Sequence, residues 1–216
     1  MVLDKQRKRI DWWLVPMAKS MKTVNPNVIT WISLLCSIAA GIAFWQSGPD
    51  QAWLLGLGAA LVWCNGVLDV LDGKIAKITD NCTPKGDYLD HAIDRFSDVA
   101  FLGGLAFSSW VRLEIGLAAI VFTLLTSYLG TQAQAVGIGR NYGGLLGRAD
   151  RMALLFFVPF VQWLLTNQDW ALPWAKWSPN LLENMMIYFA IMGLITTVQR
   201  FFGGLSAFDG DGGLKE

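Results

Sequence analysis

Charge is scarce in this chain. Asp, Glu, Lys and Arg make up 16% of its 216 residues, where a soluble domain carries about a quarter. That shortage excludes a water-soluble globular class, given what stands in its place: 54% hydrophobic residues, 11 Trp and a mean hydropathy of +0.41. An excess of either sign is lacking too, with 17 basic against 17 acidic side chains. Nothing therefore draws the chain towards nucleic acid, and none is expected as a partner. Cysteine is sparse: Cys36, Cys64 and Cys82 stand far apart with no CxxC pair, which argues against a zinc site or a disulfide framework. The opening MVLDKQRKRIDWW has neither an apolar core of signal-peptide length nor a small-residue cleavage site. The first span is thus expected to insert and stay. Internal repeats and low-complexity tracts are absent as well.

What the chain does have is long apolar runs. They predict an all-α integral membrane protein with six transmembrane helices and an N-terminal amphipathic interfacial helix. Residues 4–24 are basic and aromatic, and read as a helix on the membrane surface, interrupted near Pro16. Asn25 and Pro26 form an N-cap and first-turn pair that opens the first span. The spans are expected at about 27–46, 52–76, 86–109, 114–136, 150–166 and 181–203. The segment NQDWALPWAKWSPN before the last of them reads as an interfacial loop with a Trp belt. Three regions follow: a juxtamembrane segment 1–24, a six-helix domain 25–204 and a polar tail 205–216. Of the 17 Lys and Arg, all but Arg112 and Lys176 fall on one side of this layout. The positive-inside rule then puts both termini in the cytoplasm of a multi-pass cell-membrane protein.

One stretch breaks the apolar pattern. DVLDGKIAKITDNCTPKGDYLDHAID (69–94) carries Asp69 and Asp72 three apart at the end of the second span, and Asp90 and Asp94 four apart at the start of the third. Either spacing puts a pair on one helix face, and the short loop between makes the two helices antiparallel neighbours. The four carboxylates can converge near the cytoplasmic end. An Asp at mid-membrane costs roughly 2.5–3.5 kcal/mol, so such a set needs water or cations. Carboxylate oxygens suit Mg²⁺ or Mn²⁺, and four of them could hold two such ions. Gly73, Ala76 and Gly86 would let a bulky ligand approach the backbone, and Lys77 and Lys85 offer positive charge to a phosphate.

The run D-x2-D-G-x2-A-K-x8-G-x3-D-x3-D keeps every spacing of the signature of the CDP-alcohol phosphatidyltransferase family, and the chain resembles that family over nearly its whole length. Lys77 stands where the family usually has Arg, which keeps the charge and loses a bidentate fork. The resemblance implies transfer of a lipid phosphate from CDP-diacylglycerol or CDP-archaeol to an alcohol, with release of CMP. It implies Asp69, Asp72, Asp90 and Asp94 as ligands of two divalent cations, and Asp94 as the base. Gly73, Ala76 and Lys77 would line the CDP-lipid pocket near Asp69 and Gly86. A homodimer among membrane lipid is the family's usual state.

A second basic cluster, Arg140, Arg148 and Arg151 in GRNYGGLLGRADR, with Arg200 at the same membrane level, suits a phosphate on the acceptor. This half is similar to phosphatidylinositol-phosphate and archaetidylinositol-phosphate synthases, through SYLGTQAQAVG (127–137) and GRADR (147–151). Gly130 and Gln132 replace a Lys and an Arg of that pattern, so glycerol phosphate competes with inositol phosphate as acceptor. Tyr128, Gln132 and Gln134 are candidates for polyol hydroxyls or for polar helix packing. His91 is read as supporting the site from another helix face, and Asp98 as a partner for a nearby Arg. Gly103 and Gly104 suggest a close helix contact. Transfer to an unphosphorylated alcohol such as serine is the alternative. A cation transporter is the rival class, and would want carboxylates spread along a pathway at mid-membrane depth.

Overall fold

The computed structural model describes residues 7–139, 144, 146–166, 180–208 and 214. Among them the regular structure is helical: α1 (Arg7–Ser20), α2 (Pro26–Gln46), α3 (Trp53–Ile78), α4 (Pro84–Ala106), α5 (Leu113–Ala135), α6 (Arg148–Thr166) and α7 (Leu181–Leu205), with a 3₁₀ turn at Pro49–Gln51. Each segment expected to span is one helix, α2 to α7, with ends within about three residues of those expected. Five of them, α2, α3, α5, α6 and α7, are long and apolar enough to cross a membrane. The exception is α4. Its 23 residues make a rod of about 35 Å, longer than a hydrocarbon core of about 30 Å, but its first half is loaded with carboxylates. The predicted Trp-belt loop, Lys176 included, falls outside the described residues apart from its last, Asn180.

Local chemistry fixes the helix starts. The Asn25 side chain accepts from Asn27 N–H, with Pro26 at the first turn of α2. Thr83 caps α4 through Gly86 N–H, again followed by proline. Asn180 caps α7 through Leu182 and Glu183. These oxygens satisfy amide donors that a helix start leaves unpaired. Between α3 and α4 the turn is tight: Asp80 takes the left-handed conformation (φ 52°), and Asn81 N–H returns to Ala76 O at 2.9 Å. That closure ends α3 and reverses the chain at once.

The expected break at Pro16 does not occur; α1 runs through it. Proline removes one backbone hydrogen bond, while tertiary packing holds the helix on either side. Leu14 and Ala18 are buried, and Ala18 packs with Ile29, Leu71 and Ile75, seating α1 on α2 and α3.

The larger core lies at the other end, where Phe44, Leu55, Phe101, Leu105, Leu182 and Phe189 are buried together. The helix α2 packs between α3 and α4, α6 lies on α3, and α5 pairs with α7. Gly104 meets α2 at its closest point: a Cβ there would stand 2.2 Å from Gly41 O. Of the expected glycine pair, Gly104 thus serves a contact within the chain, while Gly103 faces open space.

Candidate active site

The antiparallel hairpin of α3 and α4 brings the motif carboxylates together. Asp72 and Asp94 are both buried, and Asp69 and Asp90 are half-buried. Each of the four interacts electrostatically with at least two of the others. Such a set is stable in a bundle only with positive charge or donors among it.

Arg148, the first residue of α6, supplies much of that charge. Its Nη1 lies 2.8 Å from Asp69 Oδ2 and its Nη2 lies 2.5 Å from Asp94 Oδ1, so one planar fork joins α3 to α4. Deeper in, Arg95 Nη2 approaches Asp94 at 3.3 Å and Asp98 at 3.9 Å. Arg151, one turn on from Arg148, donates to Asp98 at 3.0 Å, and both side chains are almost fully buried. The result is a ladder of alternating charge, Asp69–Arg148–Asp94–Arg95–Asp98–Arg151, shared by three helices. Asp98 therefore has the arginine partner expected of it.

The remaining predicted residues sit as follows. A Cβ on Gly73 would meet nothing within 4 Å, so the α3 backbone is open to a ligand there. Ala76 is half-buried and Lys77 exposed on the same helix. Gly86 lies close against Thr83 and Asn27: a Cβ there would come within 3.3 Å of Thr83 Oγ1 and 3.5 Å of Asn27 Oδ1. Arg200 Nη1 donates to Thr126 O at 2.6 Å, on the seam between α5 and α7. Tyr128, Gln132 and Gln134 are exposed on α5. Arg140 lies outside the described residues.

One residue was read only as support for the site, and another escaped the sequence. His91, read on a different face, has Nδ1 3.5 Å from Asp90 Oδ2 and Nε2 3.5 Å from Asp87 Oδ1. Asp90, His91 and Asp94 each offer an atom within 4.8 Å of the others', a span that one metal ion can bridge. Thr30 of α2 donates to Asp72 Oδ2 at 2.6 Å. A signal existed for Thr30: with Ser33 and Ser37 it forms a polar stripe at helical spacing along an otherwise apolar span. The donor set, carboxylate oxygens with one imidazole, has the hard character that Mg²⁺ or Mn²⁺ prefers. The lone guanidinium lodged between Asp69 and Asp94 shows that this position accepts a cation.

A helical membrane bundle with a carboxylate cluster at one end, open backbone beside it and an arginine fork across it defines a class: the membrane-embedded transferases that handle charged lipid headgroups. Within it, this chain belongs to the CDP-alcohol phosphatidyltransferase family, whose model matches residues 23–198. It is 28% identical over 158 residues to archaetidylinositol phosphate synthase of Pyrococcus horikoshii, covering 72% of this chain and 80% of that one. To phosphatidylinositol phosphate synthase of Mycobacterium marinum it is 30% identical over 195 residues, covering 87% and 77%. The fold matches the crystal structure of Mycobacterium tuberculosis phosphatidylinositol phosphate synthase with CDP-DAG bound, with a TM-score of 0.72, 26% identity, and 90% and 94% of the two chains covered. It matches the manganese and citrate complex of that protein with a TM-score of 0.71 at 26% identity, over 89% of each chain. The protein is an enzyme, a CDP-alcohol phosphatidyltransferase.

Proposed function

We propose that the protein transfers the phosphatidyl or archaetidyl group of CDP-diacylglycerol or CDP-archaeol to the hydroxyl of a phosphorylated polyol, inositol phosphate or glycerol phosphate. CMP is released. The observation that carries the phosphorylated acceptor is the position of Arg148: an arginine from the acceptor half of the chain touches two motif carboxylates directly. A phosphate held by that fork sits beside Asp94.

In this reading Asp69, Asp72, Asp90 and Asp94 hold two divalent cations, Mg²⁺ or Mn²⁺. Bound there, the cations offset the diphosphate charge and stabilise the departing CMP. Gly73, Ala76, Lys77 and Gly86 line the path of the CDP-lipid. Arg148 orients the acceptor through its phosphate, and Arg200 and Arg140 are the further candidates for binding it. Arg151 belongs to the same cluster and acts from below, through the ion pair with Asp98 that fixes the base of α6. Asp94 takes the proton of the attacking hydroxyl. That oxygen bonds to the lipid-side phosphorus as the bond from phosphorus to the CMP oxygen breaks, so atoms and charge balance.

The membrane setting belongs to the proposal. The carboxylate-rich α4 crosses as the third of six spans, shielded by α2 and α5. The helix α1 lies along the interface, and 25–204 is the catalytic domain between juxtamembrane segment and tail. Both termini and the site face the cytoplasm, and the enzyme works as a homodimer. The relatives named as inositol phosphate synthases support inositol phosphate as acceptor, whereas Gly130 and Gln132 keep glycerol phosphate in contention.

The test is CMP release by the purified protein with CDP-archaeol or CDP-diacylglycerol and Mn²⁺ or Mg²⁺, offering inositol phosphate and glycerol phosphate side by side. Release that requires one of the two names the product. Release with serine and with neither phosphate would overturn the phosphorylated acceptor.

A further inference from the structure

The four motif carboxylates are not held alike. Asp69 and Asp94 face the Arg148 guanidinium, and Asp90 faces His91. Asp72 meets a neutral hydroxyl: Thr30 Oγ1 stands 2.6 Å from its Oδ2. The same hydroxyl lies 3.1 Å from Pro26 O. A threonine has one hydrogen to give and both neighbours are acceptors, so the proton goes to the nearer and more negative oxygen.

The Gly73 backbone N–H also bonds the Asp72 carboxylate, but from the same helix; Thr30 reaches it from α2. Thr30 is 4% exposed and Asp72 5%, which leaves little room for a water to substitute. Ile29, Leu71 and Ile75 around them are fully buried and apolar. The hydroxyl is itself well placed. Its helix start is fixed by the Asn25 cap and Pro26. One turn on, Asn65 Nδ2 of α3 donates to Ser33 O of α2 at 2.9 Å, locking the two helices in register.

We infer that Thr30 is a positioning residue for the cation site: its hydroxyl engages Asp72 Oδ2, fixes the carboxylate plane and leaves the charge of the group unneutralised for a divalent cation. A cationic partner would orient Asp72 too, but would compete with the metal for its charge. A neutral donor orients without neutralising. The inference rests on the reading of Asp72 as a cation ligand, and it adds a residue from α2, outside the motif, to the machinery.

The experiment is a titration of Mn²⁺ into the purified full-length protein in detergent, following free Mn²⁺ by electron paramagnetic resonance, without CDP-lipid or acceptor. Partners that orient metal ligands commonly contribute about 10- to 100-fold in metal affinity. Thr30→Val should weaken Mn²⁺ binding about 10-fold, and Thr30→Ser, which keeps the hydroxyl, should stay close to the parent. Thr30→Ala gives the same reading free of any steric conflict, and thermal melting in EDTA confirms folding of each variant. In an Asp72→Asn background, Thr30→Val should add no further loss. If Asp72→Asn weakens binding while Thr30→Val and Thr30→Ala do not, the positioning role is overturned and the cation site stands. If Asp72→Asn itself leaves Mn²⁺ affinity unchanged, the assignment of Asp72 as a ligand falls, and the role of Thr30 falls with it.

Discussion

At the end of the bundle away from the carboxylates, Trp110 Nε1 donates to Ser47 Oγ at 3.1 Å, Asn180 Nδ2 donates to Trp110 O, and Phe44, Leu105 and Leu182 fill the space beneath. At the carboxylate end ion pairs dominate: Arg148 with Asp69 and Asp94, partly buried, and Arg151 with Asp98, almost fully buried. One end is joined by neutral hydrogen bonds over an apolar core, the other by charges facing charges. Neutral contacts stabilise without demanding a partner of fixed charge. Buried ion pairs give little net stability, because desolvation consumes most of their attraction, yet losing one member is severe. The apolar end is where the fold gains its stability. The charged end spends some of it to hold groups that chemistry can use.

That contrast can be broken at graded points. The largest effect is expected from Asp94→Asn, which keeps shape and removes the base. Turnover should fall by about 100- to 10,000-fold while CDP-lipid still binds, as read by CMP release beside a CDP-lipid binding assay. Parent-like rates would remove Asp94 from the proton transfer. Next comes Arg151→Ala, which takes from the buried Asp98 its hydrogen-bonded partner and leaves only Arg95, 3.9 Å away. A loss of about 3–5 kcal/mol should appear as a collapse of thermal stability in detergent. Any folded fraction should show a far larger rise in KM for the acceptor than for the CDP-lipid; equal changes in both would take Arg151 out of acceptor positioning. Replacing both partners, Arg151→Met with Asp98→Leu, should recover most of the stability but not the acceptor KM.

The neutral end should respond far less. Trp110→Phe removes one hydrogen bond and should cost about 1 kcal/mol, seen as a small shift in melting temperature with turnover intact. Smallest of all is Arg112→Ala. Arg112 and Glu183 form a 2.6 Å pair, but Arg112 is 70% exposed, and such pairs are worth about 0–1 kcal/mol. A loss at Arg112 as large as at Arg151 would erase the distinction between the two ends.

Much of this was legible in the sequence because it is written in local periodicity. Apolar runs marked α2, α3 and α5–α7, Asn25–Pro26 marked one start, and the spacing of Asp69, Asp72, Asp90 and Asp94 marked the site. What the sequence withheld lies in contacts between distant positions. Arg148 and Asp69 are 79 residues apart, and no local pattern says that a guanidinium on α6 enters the α3–α4 hairpin. Thr30 left a faint periodic trace, but a polar stripe does not say which carboxylate it serves. Pro16 misled in the other direction: propensity argued for a break, and packing of Leu14 and Ala18 overrode it.

The crossing of α2 and α4 at Gly41 and Gly104 has a mechanical side. With backbones this close, the crossing is a pivot from which the two helices run like the blades of scissors on their rivet, with Ser97 meeting Ser37 at 3.0 Å on the way to the carboxylates. Asp94 lies ten residues along one blade and Thr30 eleven along the other, each about 15 Å from the rivet at 1.5 Å per residue. A change of about 5° in crossing angle would move the blade tips by about 1.3 Å, enough to spoil an alignment on which catalysis depends. The width of the reactive mouth is therefore set by a pair of residues with no side chains, a helix's half-length from any reacting atom.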